Sequence, residues 1–384
     1  MHPFICPSAA IRPAGSDAFS PQRRLVSGLC TCRVEGMVKM SDIAAHLGVS
    51  RLTVSAVLNN RTGEVGISEE TARRVREAAL ELGYHRNHLA IAMKTGVNPV
   101  IGCFVSDLSA EWTGRTLSGL LRAMHQSGYL TKIEEVYGEK QETAALARFM
   151  EQRVAGIFCC NLNSEESFAR TLEEVTRRYA TPIVCSTSRQ DFAAHQVNSD
   201  DIQGVGLAVE HLWGLGHRRI AFLGGSSTDE PRTTGFLRSM EERGGEVAPE
   251  HFVITGRDFR RVEAVVTEWT SRKRGRPTAI LCASDSLAAV AIRTARHGGI
   301  SIPGELSIVG FANGALCEVM DPPLTSVAQP FEVIGHRCGS LLMELIERRR
   351  KKAAPSHRTD RVPTTLVVRG STGPVPRRPR KQGA

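Results

Sequence analysis

One arginine at the head of a short helical pattern is best placed to do chemistry on another molecule. In the stretch DIAAHLGVSRLTVSAVLN, residues 42–59, the apolar residues Ile43, Ala44 and Leu47 precede Gly48, and Val49, Val54, Val57 and Leu58 follow it. Two short helical patterns broken by a Gly are the mark of a helix-turn-helix. Ser50 stands where the second helix must begin, and its hydroxyl can accept from an orphan backbone N–H. With Val54, Val57 and Leu58 turned inward, that helix is expected to expose Arg51, Leu52, Ser55 and Ala56. An outward Arg at the N-terminal end of a short helix suits a DNA major groove, where a guanidinium forks onto a base edge. An ordinary helical hairpin would carry the same pattern.

Other chemistries lack their residues. His211 and His217 flank a helix end with no acidic or Cys partner at metal spacing, so packing or capping is expected of them. The ten Cys include no CxxC pair, and Cys103, Cys159, Cys160, Cys185 and Cys282 sit in short apolar runs where thiols act as small hydrophobes. Gly204 and Gly206 do not complete a dinucleotide fingerprint, and no P-loop or Gly-x-Ser-x-Gly elbow occurs. The expectation is therefore no catalytic residue, no metal and no cofactor. No apolar run approaches the ~18 residues of a membrane span, and the N-terminus lacks a signal-peptide core. A cytoplasmic protein is expected.

The elements that must hold these residues follow from the order of the chain. Residues 1–36 are rich in Pro, Ser, Ala and Gly without a sustained period and read as a disordered extension, with Met37 a second possible start of translation. Residues 37–83 form the helix-turn-helix domain. Its third helix is capped by Ser68, buries Ala72, Val75, Ala79 and Leu82, and stops at Gly83. Residues 84–97 make a linker. From residue 98 the texture changes to apolar runs near 100, 129, 156, 182, 219, 252, 279 and 306, alternating with amphipathic helical stretches. That alternation predicts α/β architecture, with two doubly wound parallel sheets and a ligand cleft at the C-terminal ends of their strands. The body spans 98–372, and 373–384 is a basic disordered tail. The net charge of +9 is concentrated in residues 348–384: from Arg348 onward twelve Lys and Arg face one acid, so everything upstream sums to −2. The basic balance is weak support for nucleic-acid binding.

An all-α helix-turn-helix headpiece, a short linker and a bilobed α/β body resemble the lactose-repressor family of bacterial transcription regulators. The resemblance covers residues 38–372. It rests on DIAAHLGVSRLTVSAVLN followed by ISEETARRVREAALELGY, on VNSDDIQGVGLAVEHLWGLGHRRIAFLGG, and on PTAILCASDSLAAVAIRTARHGGISIPGELSIVGFANGALCEVMDPPLTSVAQP. It implies a periplasmic-binding-protein-like body with a first lobe of 98–188 plus 326–352 and a second of 189–325 plus 362–370. It further implies a homodimer on a near-palindromic double-stranded operator, controlled by a small-molecule effector such as a sugar, and away from membranes.

Site residues carry over position by position. Arg51 and Leu52 match the base-reading pair, while Ser50, Thr53 and Asn59 match phosphate-contacting or capping positions. Ala56 stands where family members often have Arg, and Lys39 where a capping Ser or Thr is usual, leaving Ser41 as a later cap. In the linker, Asn87, Ala90 and Met93 fall on the family's hinge helix, with Met93 as a minor-groove wedge. Arg86 replaces the usual Pro. In the cleft, Asp285 matches a hydroxyl-binding acid or else caps its helix. Arg232 matches a ligand-binding Arg, and Trp112 and Phe259 match ligand-face aromatics or else lie in the core. Ser106 is a further candidate. Ala312-Asn313 and Ala110-Glu111-Trp112 depart from the family pattern near the cleft and put a common sugar effector in doubt. Two readings compete with the effector-controlled regulator: one with no small-molecule effector, and a sugar-binding transport receptor.

Overall fold

The computed structural model describes residues 37–59, 61–85, 93, 98–125, 127–160, 166–186, 194–225, 230–272, 274–350 and 358–375. The chain divides into two compact units, residues 1–86 and 87–384. The 1–36 extension, the hinge positions Asn87 and Ala90, and Arg86 lie outside the described residues.

The first unit begins with α1 (Met40–Leu47) and α2 (Arg51–Leu58). Gly48 takes the left-handed conformation between them, at φ +67°, and Val49 N donates to Ala44 O to close the turn. Lys39 stands at the start of α1. Its cap comes from Asp42, whose carboxylate accepts from Lys39 N at 2.8 Å, while Ser41 Oγ donates to Asp42 rather than capping. The stretch expected as a plain loop contains a single-turn helix, α3 (Thr62–Val65). It precedes α4 (Glu69–Glu81), which Ser68 caps through Thr71 N. Ile43, Val54, Val57, Ala72, Val75 and Ala79 form the core, and Tyr84 packs against it. The headpiece therefore runs past Gly83, the expected end.

The second unit holds two six-stranded sheets. In the first lobe the order is β11-β5-β4-β3-β1-β2, with β1 at Asn98–Val105, β2 Leu130–Glu135, β3 Val154–Cys160, β4 Ile183–Ser186, β5 His195–Ser199 and β11 Thr359–Val362. All its pairings are parallel. In the second the order is β12-β10-β9-β8-β6-β7, with β6 Ile220–Gly224, β7 Phe252–Ile254, β8 Ala279–Cys282, β9 Ser307–Ala312, β10 Thr325–Ala328 and β12 Thr365–Val367. Only β12 runs antiparallel, pairing with β10. The doubly wound, mostly parallel expectation holds. Strands such as VAGIFCC and AILC are buried along their whole length because helices cover both faces.

The lobe boundaries differ from expectation. β5 belongs to the first sheet, so the first lobe is 98–199 plus 331–362. The second is 201–328 plus 364–375, because β10 lies in the second sheet and β11 in the first. The chain thus crosses between lobes near 200, 330 and 363. β5, β10 and β11 escaped the sequence reading because they are short and carry His, Gln, Asn, Ser, Thr and Arg among few apolar residues.

In the first lobe, α5 (Glu111–Met124) packs on α13 (Phe331–Arg350). Their backbones approach so closely that a Cβ on Gly119 would overlap the Glu332 carbonyl, and one on Gly335 the Thr116 carbonyl. The opposite sheet face buries Phe104, Phe149 and Phe168 with Leu146 and Leu172. The thiols of Cys103, Cys159, Cys160, Cys185 and Cys282 are free and buried, as expected of small hydrophobes, and that of Cys338 is free and buried as well.

The second lobe extends to the end of the described chain. His217 is fully buried and hydrogen-bonds Thr278 Oγ1 and Ser307 Oγ, and the Gly373 carbonyl oxygen lies 3.0 Å from its Nε2. His211 Nε2 meets Thr372 Oγ1 at 2.9 Å, and Val375 N donates to Leu215 O. Residues 373–375, expected in a disordered tail, are tied down because buried polar groups of this lobe need the strap's backbone as partners. The packing role expected of both histidines is what they perform. Among the described residues no helix is long and apolar enough to cross a membrane.

Candidate functional site

On α2, Arg51 and Leu52 stand out of the headpiece, Leu52 with 79% of its surface exposed. An apolar side chain so exposed at a helix start has no packing role in its own unit. Ser50 Oγ accepts from Thr53 N at 3.0 Å and shares a second hydrogen bond with Thr53 Oγ1, which fixes the helix start beside Arg51. At the other end Asn59 Nδ2 donates to Ser55 O, so Asn59 closes the helix. Ser55 is half-buried. Ala56 is a correction. It is 3% exposed, because the chain folds back over it: Arg61 N donates to Ala56 O, and α3 packs on α2. Met93, of the hinge positions the one described, is 89% exposed.

In the body a cleft of about 950 Å³ lies at the C-terminal ends of the strands of both lobes. Ser106 follows β1, Cys160 ends β3 and Asn198 and Ser199 end β5, while from the second lobe come Gly225, Gly256, Ala283 and Ala312. Burial pushes the Cys160 thiol up to about 12, so it lines the wall as a neutral group.

Arg232 is the best-positioned polar group. It lies in the first turn of α9 (Pro231–Glu241), and its Nε donates to Asp201 Oδ2 at 2.9 Å. Nη1 donates to Ala283 O at 2.7 Å, Nη2 reaches Gln329 Oε1 at 3.4 Å, and the guanidinium lies 4.4 Å over the Phe311 ring. Three of its five N–H groups are thereby used, leaving two for a guest. Asp201, the first residue of α8 (Asp201–Gly214), also accepts from Ser199 Oγ and Gln329 Nε2. Asp201, Gln329 and Ser199 were absent from the sequence candidates. Their signal was position: each lies at a strand end or a lobe crossing.

Of the expected cleft residues, Ser106, Trp112 and Arg232 line it together. Phe259 does not. It opens α10 (Phe259–Ser271) with 43% of its surface exposed, and Gly256 and Arg257 hold the wall there instead. Asp285 is neither ligand-facing nor a helix cap. Ser284 caps α11 (Asp285–His297) through Leu287 N. The Asp285 carboxylate is buried, accepting from Ser326 Oγ at 2.5 Å and Gly314 N at 2.9 Å. It pins the loop after β9, where Ala312 and Asn313 take φ of 117° and 54°. One oxygen is spent on that loop and the other on Ser326 of β10, which is why neither is presented to the cleft.

The profile described as "Bacterial regulatory proteins, lacI family" matches residues 39–87, and that of a "Periplasmic binding protein-like domain" matches 209–372. The HTH-type transcriptional regulator DegA of Bacillus subtilis (strain 168) is 33% identical over 346 residues, covering 87% of this chain and 98% of that one. The chain belongs to the lacI family of bacterial regulatory proteins. As a member of it, the chain is a DNA-binding transcriptional regulator. The HTH-type transcriptional repressor CytR of Escherichia coli (strain K12) is 27% identical over 348 residues, covering 89% of this chain and 98% of its own. The lac repressor dimer bound to operator and the anti-inducer ONPF shares the fold, with a TM-score of 0.73 at 24% identity over 88% of this chain and 99% of that one. The regulator CelR in complex with cellobiose has a TM-score of 0.64 at 23% identity, covering 87% and 99%.

Proposed function

We propose that this family member acts as a cytoplasmic homodimeric repressor and not as an enzyme, reading a near-palindromic double-stranded operator with the outer face of α2. Arg51 forks onto a guanine and Leu52 covers a thymine methyl. Ser50, Thr53 and Asn59 approach phosphate, which sets register without specifying sequence. Met93 wedges into the minor groove. The observation that carries the reading is the exposed Arg51–Leu52 pair at the start of a helix whose other face is buried.

The cleft holds a small polar effector, a sugar or related metabolite, between Arg232, Ser106 and Trp112. Its binding changes lobe closure and so operator affinity, a coupling between two sites. Footprinting of the purified protein on its own promoter region, with and without metabolite pools, tests both parts. A protected near-palindrome of ~15–20 bp at nanomolar protein supports the first, and a metabolite that shifts the affinity supports the second. Protection that no metabolite changes would favour a regulator without an effector.

A further inference from the structure

The two lobes are joined by backbone at three crossings, and among the described residues side chains also bridge them away from the chain path, Glu111 most tightly. Glu111 opens α5 in the first lobe, and both its oxygens accept from Ala315 N of the second lobe, at 3.2 and 3.0 Å. The residues are 204 apart in sequence. Glu111 has Arg115 Nη1 at 3.8 Å, and Arg115 is itself held by a fork onto Glu332, Nε to Oε1 at 2.7 Å and Nη2 to Oε2 at 3.0 Å. The carboxylate is thus aimed from the first lobe by a fixed guanidinium.

The other side is fixed as firmly. Gly314 N donates to Asp285, Asn313 N to Ser326 Oγ at 3.1 Å, and Arg369 Nη1 to Asn313 Oδ1 at 2.8 Å. Ala312 and Asn313 hold left-handed backbone that non-glycine residues adopt only under surrounding constraint. The loop's own lobe satisfies the amides of residues 313 and 314, and the acceptor for that of residue 315 comes from the other lobe. A second cross-lobe pair, Arg257 with Asp107 at 3.7 Å, is looser, its guanidinium 81% exposed.

We propose that Glu111 is an interlobe latch, a positioning residue that holds the cleft closed through the Ala315 amide and sets the closed population before any effector enters. Its consequence for control rests on the effector reading above, but the latch itself is measured in the ligand-free chain.

The test is amide hydrogen exchange across residues 313–317 of the full-length protein, with small-angle scattering to follow closure. Glu111→Ala should speed exchange at Ala315 about tenfold, the loss expected for one charge-assisted hydrogen bond, and enlarge the scattering radius. Glu111→Gln should restore most of the protection, because its amide oxygen still accepts; that rescue separates a latch from a misfolded variant. Ala315→Pro removes the donor at a φ of −56° that proline tolerates. It should open the cleft as far as Glu111→Ala, and the double variant no further. Unchanged exchange at Ala315 in Glu111→Ala, or additive opening in the double variant, overturns the latch. Either result with operator binding intact leaves the regulator reading standing, whereas absent operator binding in the unaltered chain sinks that reading and not the latch.

Discussion

Arg232 donates to Asp201 at 2.9 Å while lying flat over Phe311, so one guanidinium joins the helix starts of α8 and α9 to the cleft floor. Arg232→Leu should lower stability by about 3 kcal/mol, the low end for breaking a buried pair, since Asp201 keeps Ser199 and Gln329 as donors. Effector affinity should fall at least about tenfold. Arg232→Lys keeps the charge but loses the fork and the flat stacking, and should fall between. Denaturant unfolding and effector titration read the two effects; a Lys variant equal to the parent in both contradicts the assignment.

In the headpiece, Arg51→Ala should weaken operator binding by about 1–3 kcal/mol while leaving non-specific DNA binding almost unchanged. Ala56→Arg should behave differently. Ala56 is buried, so a long side chain overpacks the headpiece and costs it about 1–3 kcal/mol of stability. Circular dichroism of the headpiece helices beside a binding titration distinguishes lost contact from lost fold.

Three histidines of the second lobe predict acid sensitivity. Burial holds His211, His217 and His251 below the ordinary histidine value of 6.5. The unfolded chain therefore takes up protons before the folded body does. Stability is fully present above pH 6.5 and is lost as pH falls below it toward the depressed folded values. The lowered carboxylates, Glu134 and Glu332 among them, act only below 4.5 and leave this window to histidine. Thermal unfolding between pH 8 and pH 5 should show a falling Tm, and a flat profile would falsify the argument.

Gly335→Ala should destabilise the first lobe by about 1–3 kcal/mol. Its methyl lands on the Thr116 carbonyl of the facing helix, a backbone atom that cannot swing aside. Unfolding midpoints of this variant against Gly314→Ala, where the nearest atom is the Glu111 carboxylate at 2.9 Å, should separate a backbone clash from a side-chain one.

Deletion of residues 376–384 should lower the salt-dependent background of DNA binding without altering site preference, because their Lys and Arg release counterions from any sequence. A changed preference would contradict this. Deletion from residue 371 should instead destabilise the second lobe, since Ser371 and Gly373 are hydrogen-bonded within it. Comparing salt slopes and Tm values of the two truncations resolves the roles.

The α2 cap, the buried Val54 and Val57 and the eight apolar strands were legible because each is written in local pattern. Ala56 was not: a small residue looks the same on either face, and its burial depends on a helical turn that follows in sequence. Asp285 was misplaced for another reason. An acid between a strand and a helix has the same local signature whether it faces a ligand, a helix end or a distant loop. Only tertiary packing brought Ser326 and Gly314 to its oxygens. The Asp201, Arg232 and Gln329 cluster likewise draws on residues up to 128 apart, beyond any sequence period.

The three crossings also order events at the ribosome. Neither lobe is a contiguous stretch of chain: the first sheet waits for β11 at residues 359–362, and the second for β12 and the strap held by His217. Neither sheet gains its last strand until residues 359–367 have been made, so the two lobes mature together rather than in turn. The headpiece, contiguous and complete by about residue 84, folds while the body is still being made. A truncated message would therefore yield a finished DNA-reading unit tethered to an unfinished body.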